Sequence, residues 1–110
     1  MALDSFWDKP KGLSDSANKA CDVIRALALK RKWDAGGCNA FRSPQEHRDM
    51  GEEYGRNSEL IIVFDGGDLA PRFNLSYEQY EEYDEMVQAL KEVGVWSEGC
   101  TCWYSAIYKL

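Results

Sequence analysis

The sequence has little of what most enzymes, metal proteins and membrane proteins need. Of its 110 residues one is histidine, three are proline and four are cysteine. No apolar run approaches the about 20 residues that a membrane-spanning helix requires. The first residues include Asp4 instead of the basic start that a signal peptide needs. We therefore expect a protein of the cytoplasm of a bacterial host cell, where its cysteines stay reduced.

Catalytic motifs are also missing. The sequence contains no G-x-S-x-G motif, and its single histidine has no partner that spacing alone could assign to it. Residues 65–68, Asp-Gly-Gly-Asp, offer neither the lysine of a phosphate-binding loop nor enough ligands for calcium, and paired glycines predict a hairpin turn. We interpret His47 as a solvated residue on the exposed face of a short helix. The sequence therefore predicts a protein that is not an enzyme and holds no cofactor.

The cysteines leave a metal site open as an alternative. Cys100 and Cys102 flank one residue, and with Cys38 and His47 they could form a Cys3His zinc site. Zinc modules usually present two close cysteine pairs, whereas this chain has one. We therefore favour ordinary reduced thiols, with Cys21 in the core. Structural zinc and a redox pair remain alternatives.

Length and periodicity predict one α+β domain, residues 1–110, with a small and mostly antiparallel sheet packed against helices. Residues 1–13 form an N-terminal arm in this interpretation, because proline and glycine interrupt any helix there. Helices are predicted near residues 14–32, 44–54 and 77–93. Strands are predicted near residues 59–65, 69–75, 95–98 and 100–108.

Capping residues and breakers give these boundaries. Ser14 is a suitable N-cap for the first helix, and Ser43 begins the second with proline and glutamate in its first turn. Ser76 starts a similar capping box before the third helix. Pro71 cannot donate a hydrogen bond to a sheet, so residues 69–75 are predicted to be an edge strand or an extended loop.

The third helix carries the strongest charge signal. Its predicted buried stripe consists of Tyr80, Tyr83, Met86, Val87, Leu90 and Val93. Its other side is acidic, with no basic residue before Lys91. The first 50 residues hold 9 Lys and Arg and 7 Asp and Glu, whereas the last 60 hold 4 and 12. These acidic groups lie closer together than the Debye length of about 8–10 Å and therefore repel one another. Because this repulsion costs stability, we expect the acidic side to have a function.

Two segments of the C-terminal half carry a resemblance. Residues 60–68, LIIVFDGGD, and residues 100–108, CTCWYSAIY, resemble segments of small proteins that phages, prophages and plasmids encode, among them the anti-CRISPR inhibitors. Those proteins are similarly short, often acidic and free of enzyme motifs. The resemblance implies a stoichiometric inhibitor that docks on a CRISPR effector complex, where its acidic helix blocks a channel lined by Lys and Arg. It assigns no role to individual residues.

The predicted partner is therefore a host protein with a basic nucleic-acid-binding surface, not nucleic acid itself and not a membrane. Carboxylates would steer the encounter and exposed aromatic side chains would anchor it. The residues predicted to bind the partner are Glu78, Glu81, Glu82, Asp84, Glu85, Tyr77 and Trp96. One alternative is a structural or zinc-stabilised phage module. Another is a nucleic-acid binder that uses Lys19, Arg25, Lys30, Arg31 and Lys32.

Overall fold

A computed structural model describes residues 5–33, 39–64 and 67–110. These residues form an α+β fold of four α-helices and one four-stranded antiparallel sheet, as the sequence predicts. No helix among them is long and apolar enough to span a bilayer. The helices are α1 (Asp15–Arg31), α2 (Pro44–Asp49), α3 (Ala70–Phe73) and α4 (Tyr80–Glu92). The strands are β1 (Phe41–Arg42), β2 (Leu60–Val63), β3 (Val95–Gly99) and β4 (Tyr104–Lys109). Short 3₁₀ helices cover Ser5–Trp7 and Leu75–Tyr77.

The sheet has the order β1-β2-β4-β3, and every neighbouring pair is antiparallel. Leu60 lies opposite Ile107 in the central pair, and Trp96 lies opposite Tyr108 in the hairpin of β3 and β4. Successive side chains of a strand point to opposite faces. Both faces of β2 are buried, which explains why its sequence is continuously apolar and not alternating.

The first face of the sheet packs against α1 and α4. Leu60, Ile62 and Ile107 contribute to this core from the strands, and Met86 and Leu90 contribute from α4. The buried side of α1 has the three-and-four spacing of an amphipathic helix. It consists of Ala17, Ala20, Cys21, Ile24 and Ala28. The core also takes in Trp7 from the N-terminal segment and Trp33 from the end of α1.

The second face carries a smaller cluster of Ile61, Val63, Tyr104 and Ala106. Helix α2 and the segment after it cover this cluster. Gly55 lies so close that a Cβ atom placed on it would be 2.8 Å from Ile61 Cδ1 and 3.1 Å from the Cβ of Ala106. The loop after α2 therefore packs directly on the sheet and covers this face together with α2.

The prediction for residues 69–75 is wrong, because they form α3 and the beginning of a 3₁₀ helix instead of a strand or extended loop. Pro71 lies in the first turn of α3, where no backbone N–H is needed. Burial of Leu69, Ala70 and Phe73 on the first-face core favours the helical turn.

The prediction of a hairpin turn at residues 65–68 is also wrong, because β2 pairs with β1 and β4 and not with the segment that follows it. Residues 65 and 66 themselves lie outside the described residues.

Several boundaries also differ from prediction. The sequence does not predict β1, which has two residues and no periodicity. Helix α2 ends at Asp49, five residues early, before Gly51 takes a φ of 78°. Ser76 lies in the 3₁₀ helix and does not cap α4. The last strand begins at Tyr104, because residues 100–103 form the turn after β3.

Two predicted caps are confirmed. The side chain of Ser14 accepts a hydrogen bond from the backbone N–H of Ala17 at 3.2 Å. The side chain of Ser43 accepts one from Glu46 at 3.2 Å. Such caps satisfy N–H groups that the first turn of a helix leaves without partners. They fix where α1 and α2 begin.

Candidate protein-binding surface

The segment before α4 determines which side chains surround the start of this helix. Asn74 caps the 3₁₀ helix by accepting a hydrogen bond from Ser76 N–H at 2.9 Å. Glu78 then takes the left-handed conformation, with φ 57° and ψ 27°, which is uncommon for a residue other than glycine. The N-cap of α4, Gln79, makes no side-chain capping bond. Carboxylates in the first turn of α4 therefore help to stabilise its N-terminus.

Three large side chains of this region are exposed. Leu75 is 52% exposed, Tyr77 47% and Tyr80 62%. The prediction that Tyr80 belongs to a buried stripe is wrong, because only Met86 and Leu90 of α4 are buried. Tyr80 is the first residue of α4 and lies before the part of the helix that reaches the core. Three exposed large side chains therefore lie around the start of α4.

Acidic residues lie in the same stretch of chain as these three side chains. Glu78, Glu81 and Asp84 are exposed, whereas Glu82 and Glu85 are half-buried. The "α4 surface" denotes the exposed set from here on. It consists of Leu75, Tyr77, Glu78, Tyr80, Glu81 and Asp84. Protein interfaces favour aromatic side chains at their centre and polar residues at their rim.

The two half-buried acids, Glu82 and Glu85, lie beside basic residues from other elements of the chain. Arg31, at the end of α1, donates a hydrogen bond from Nε to Glu85 Oε1 at 3.0 Å, and its Nη2 contacts Glu85 Oε2. Both residues line a cleft of about 220 Å³ with Arg72, Glu81 and Glu82. The carboxylate face of α4 is therefore partly compensated by cations on one side. It stays acidic on the other side, where Glu78 and Asp84 lie outside this cleft.

Arg72 is held in place by its neighbours. Its guanidinium lies 4.5 Å from the centre of the Trp33 ring, a cation–π contact. Its Nη1 donates a hydrogen bond to the backbone carbonyl of Asp68 at 2.7 Å. Trp33 therefore closes the core and also supports one wall of the cleft.

Trp96 lies apart from the other residues predicted to bind a partner. It is 41% exposed and stacks on Tyr108 with ring centres 5.3 Å apart. Tyr108 packs against the cluster on the second face of the sheet, whereas α4 packs against the first face. Tyr77 and the five acids thus lie in one stretch of chain, from the 3₁₀ helix into the first half of α4, whereas Trp96 lies on the opposite face of the sheet.

The basic residues of the alternative nucleic-acid site lie in different environments. Arg31 pairs with Glu85, and Arg25 is half-buried with an Nε atom that has no hydrogen-bond partner among the described residues. Lys19, Lys30 and Lys32 are exposed. The end of α1 lies against acidic α4 through the Arg31 contact. An anionic ligand there would meet carboxylates as well as cations.

The zinc candidates have separate environments. Cys38 lies outside the described residues. The Cys100 thiol donates to the backbone carbonyl of Glu98 at 3.6 Å, and burial raises its pKa. Cys102 is exposed. Across the described part of the chain, no group of three or more His, Cys, Asp or Glu side chains could hold a metal.

The prediction of a solvated His47 is wrong, because its side chain is fully buried. Its Nδ1 lies 3.2 Å from an Arg42 nitrogen that can only donate, so Nδ1 accepts. Its Nε2 lies 3.1 Å from the backbone carbonyl of Tyr54 and therefore donates. Burial, followed by the Arg42 charge, lowers the pKa of His47. The neutral ring is thus a structural group between α2 and the sheet.

Sequence reasoning missed Leu75, which it assigned to the end of a strand, and Arg72 of the cleft. It named Arg31 only for the alternative nucleic-acid site. An apolar residue beside two tyrosines in an acidic segment was the signal that could have identified Leu75. No local signal exists for the pair of Arg31 and Glu85, because 54 residues separate them. Such a contact follows from helix packing.

Comparison of the chain with protein-family models, with curated proteins and with solved structures finds no match.

Proposed function

We propose that this chain is a small binding protein that inhibits a nucleic-acid-handling protein by docking the α4 surface on its basic site. The observation that carries the proposal is the exposure of Leu75, Tyr77 and Tyr80 beside the free carboxylates of α4. The aromatic side chains supply rigid contact area, and the carboxylates occupy positions where the partner holds phosphates. In its specific form the partner is a bacterial CRISPR effector complex, as the resemblance implies.

Charge favours a basic partner for this surface. The net charge of the chain is −6, and twelve of its nineteen acidic residues lie in the last 60 positions. In the described chain, the salt bridges that involve α4 are confined to Glu85. Complementary fields raise association rates by a factor of about 10 to 1,000 at low salt. Inhibition should therefore weaken as salt rises.

The decisive experiment measures target-DNA binding by guide-loaded CRISPR effector complexes with increasing amounts of this protein, at two salt concentrations. We expect the protein to displace DNA. The triple variant E78Q/E81Q/D84N should lose at least about tenfold in potency at low salt. The matched triple variant D8N/E53Q/E92Q changes the net charge equally at other exposed positions. It should keep most of the potency.

Aromatic anchors are tested separately. Truncation of interface hot spots costs about 2 kcal/mol or more, which is roughly a thirtyfold loss of affinity. We expect this loss for Y77S/Y80S, but not for Y54S, whose side chain is 52% exposed elsewhere. Unchanged potency of both α4 variants would exclude the α4 surface. If no effector complex is inhibited, a lysate pull-down with the same variants tests whether another basic protein is the partner.

A further inference from the structure

The free edge of β3 is a second surface with specific chemistry. β3 lies at the end of the sheet, and its ladder runs only to β4 in the described residues. Hydrogen bonds at both ends of the hairpin show which residues of β3 are bonded to β4. Leu110 N–H donates to the carbonyl of Gly94 at 3.0 Å, and Cys100 N–H donates to that of Tyr104 at 3.3 Å. In an antiparallel pair every second residue exchanges such bonds, so the even-numbered residues of β3 are bonded to β4.

The odd-numbered residues of β3 consequently direct their backbone groups outward. Ser97 and Gly99 present N–H and C=O groups along the open edge. Trp96 and Glu98 are bonded to β4 and direct their side chains to the second face of the sheet, as their register opposite Tyr108 and Ala106 requires. An exposed edge of this kind is a template on which another strand can pair.

The side chains next to this edge indicate which strand fits. Trp96 is 41% exposed and stacks on Tyr108, and Glu98 is exposed. Burial, followed by the Glu98 charge, raises the pKa of Tyr108, in keeping with a carboxylate close to the aromatic pair. An aromatic face beside a carboxylate is an environment that binds Lys or Arg through cation–π and ionic contacts.

We propose that β3 binds an extended segment of a partner protein as a fifth strand, with a Lys or Arg of that segment against Trp96 and Glu98. Residues opposite Trp96 and Glu98 would form the closer, non-hydrogen-bonded pairs, with Cβ atoms about 4.5–5.5 Å away. Their side chains would lie on the second face of the sheet. Main-chain bonds to Ser97 and Gly99 give affinity, and the aromatic–acid pair gives the preference for basic residues.

A second copy of this chain fits the edge less well. An antiparallel copy centred on Ser97 would place Trp96 opposite the Glu98 of the other copy, without any cation. It would also join two chains that each have a net charge of −6. A basic segment removes both objections. This site lies on the opposite face of the sheet from α4 and does not depend on the α4 surface.

The test is a two-dimensional NMR titration of the intact protein with the capped peptide Thr-Lys-Val-Lys-Val-Lys-Thr. We expect the amide signals of Ser97 and Gly99 to shift and to gain protection from hydrogen exchange. The same peptide with glutamates for lysines, or with methylated backbone nitrogens, should produce neither effect. Glu98→Gln and Trp96→Thr should each weaken binding about threefold to fivefold. Glu92→Gln and Tyr54→Ser should leave binding unchanged.

Several outcomes would overturn the proposal. One is the absence of shifts at Ser97 and Gly99 with the lysine peptide at millimolar concentration. Equal binding of the glutamate peptide is another, and so is a doubled mass in light scattering without peptide, which would identify a second copy as the occupant. Shifts confined to α4 would place the basic ligand on the α4 surface instead. Because Glu98→Gln alters an exposed side chain, it tests the site even if Trp96→Thr fails to fold.

Discussion

The single histidine of the chain occupies a position that requires it to be neutral. His47 accepts a hydrogen bond from Arg42 at Nδ1 and donates one to the Tyr54 carbonyl from Nε2. Its ring makes a T-shaped contact with Tyr104, with centres 4.5 Å apart. If Nδ1 were protonated, its N–H would face the N–H of the Arg42 guanidinium, and two positive charges would lie side by side. The structure therefore stabilises the uncharged ring.

We predict that stability falls as pH falls below the normal histidine pKa. The pKa of His47 is lowered from 6.5 in the folded protein, so the unfolded chain binds a proton first. The free energy of unfolding then decreases with falling pH from about 6.5 until the folded pKa is reached, at up to about 1.4 kcal/mol per pH unit. Urea unfolding at pH 7.5, 6.5 and 5.5 should show a larger loss of stability over the last step than over the first.

The control for this prediction is His47→Gln, whose amide can still donate toward the Tyr54 carbonyl. The chain has no other histidine, and carboxylates titrate mainly below this range. The variant should therefore be less stable at neutral pH but nearly insensitive to pH over the same window. An equal slope in both proteins would show that another group is responsible.

At the scale of elements, local signals in the sequence predict where helices begin more reliably than what covers them. Ser14 and Ser43 act within one turn of chain and are confirmed as caps, whereas the third predicted cap, Ser76, lies in a 3₁₀ helix. Tyr80 fits a helical apolar stripe, yet it is exposed, since burial depends on elements far away in sequence. Pro71 is compatible with both an edge strand and a first helical turn, so only packing decides between them. The acidic residues of α4 were predictable, but the compensation by Arg31 was not.

The residue that ends α1 limits the stability of this helix. Lys32 caps this helix in the left-handed conformation, with φ 58° and ψ 47°. That conformation costs a residue with a Cβ atom about 1–2 kcal/mol, and glycine avoids the cost. We expect Lys32→Gly to raise the free energy of unfolding by about 1 kcal/mol, measured by urea denaturation. The matched change Lys30→Gly, inside the same helix, should lower it by about 1 kcal/mol. Destabilisation by both would contradict this account of the cap.

At the scale of the whole molecule, the sheet separates two sides that are covered by different elements. Helices α1 and α4 cover the first face. The α4 surface lies on the exposed side of α4 and of the segment before it. The second face is covered by α2 and the loop around Gly55, and it ends at the exposed Trp96. If binding belongs to α4, damage to the second face should reduce stability without changing affinity in the molecules that remain folded.

Gly55→Ala tests this separation. Gly55 has φ 77°, and a Cβ atom would lie 2.8 Å from Ile61 Cδ1. Gly51 has φ 78° with open space around it, so Gly51→Ala reports the conformational cost alone, about 1–2 kcal/mol. We expect Gly55→Ala to lose about 1–3 kcal/mol more by overpacking. Both variants should bind the partner of the α4 surface like the parent below their melting temperatures. Equal stability of the two variants would show that loop and sheet are not tightly packed, and weaker binding by Gly55→Ala alone would place the interface on the second face.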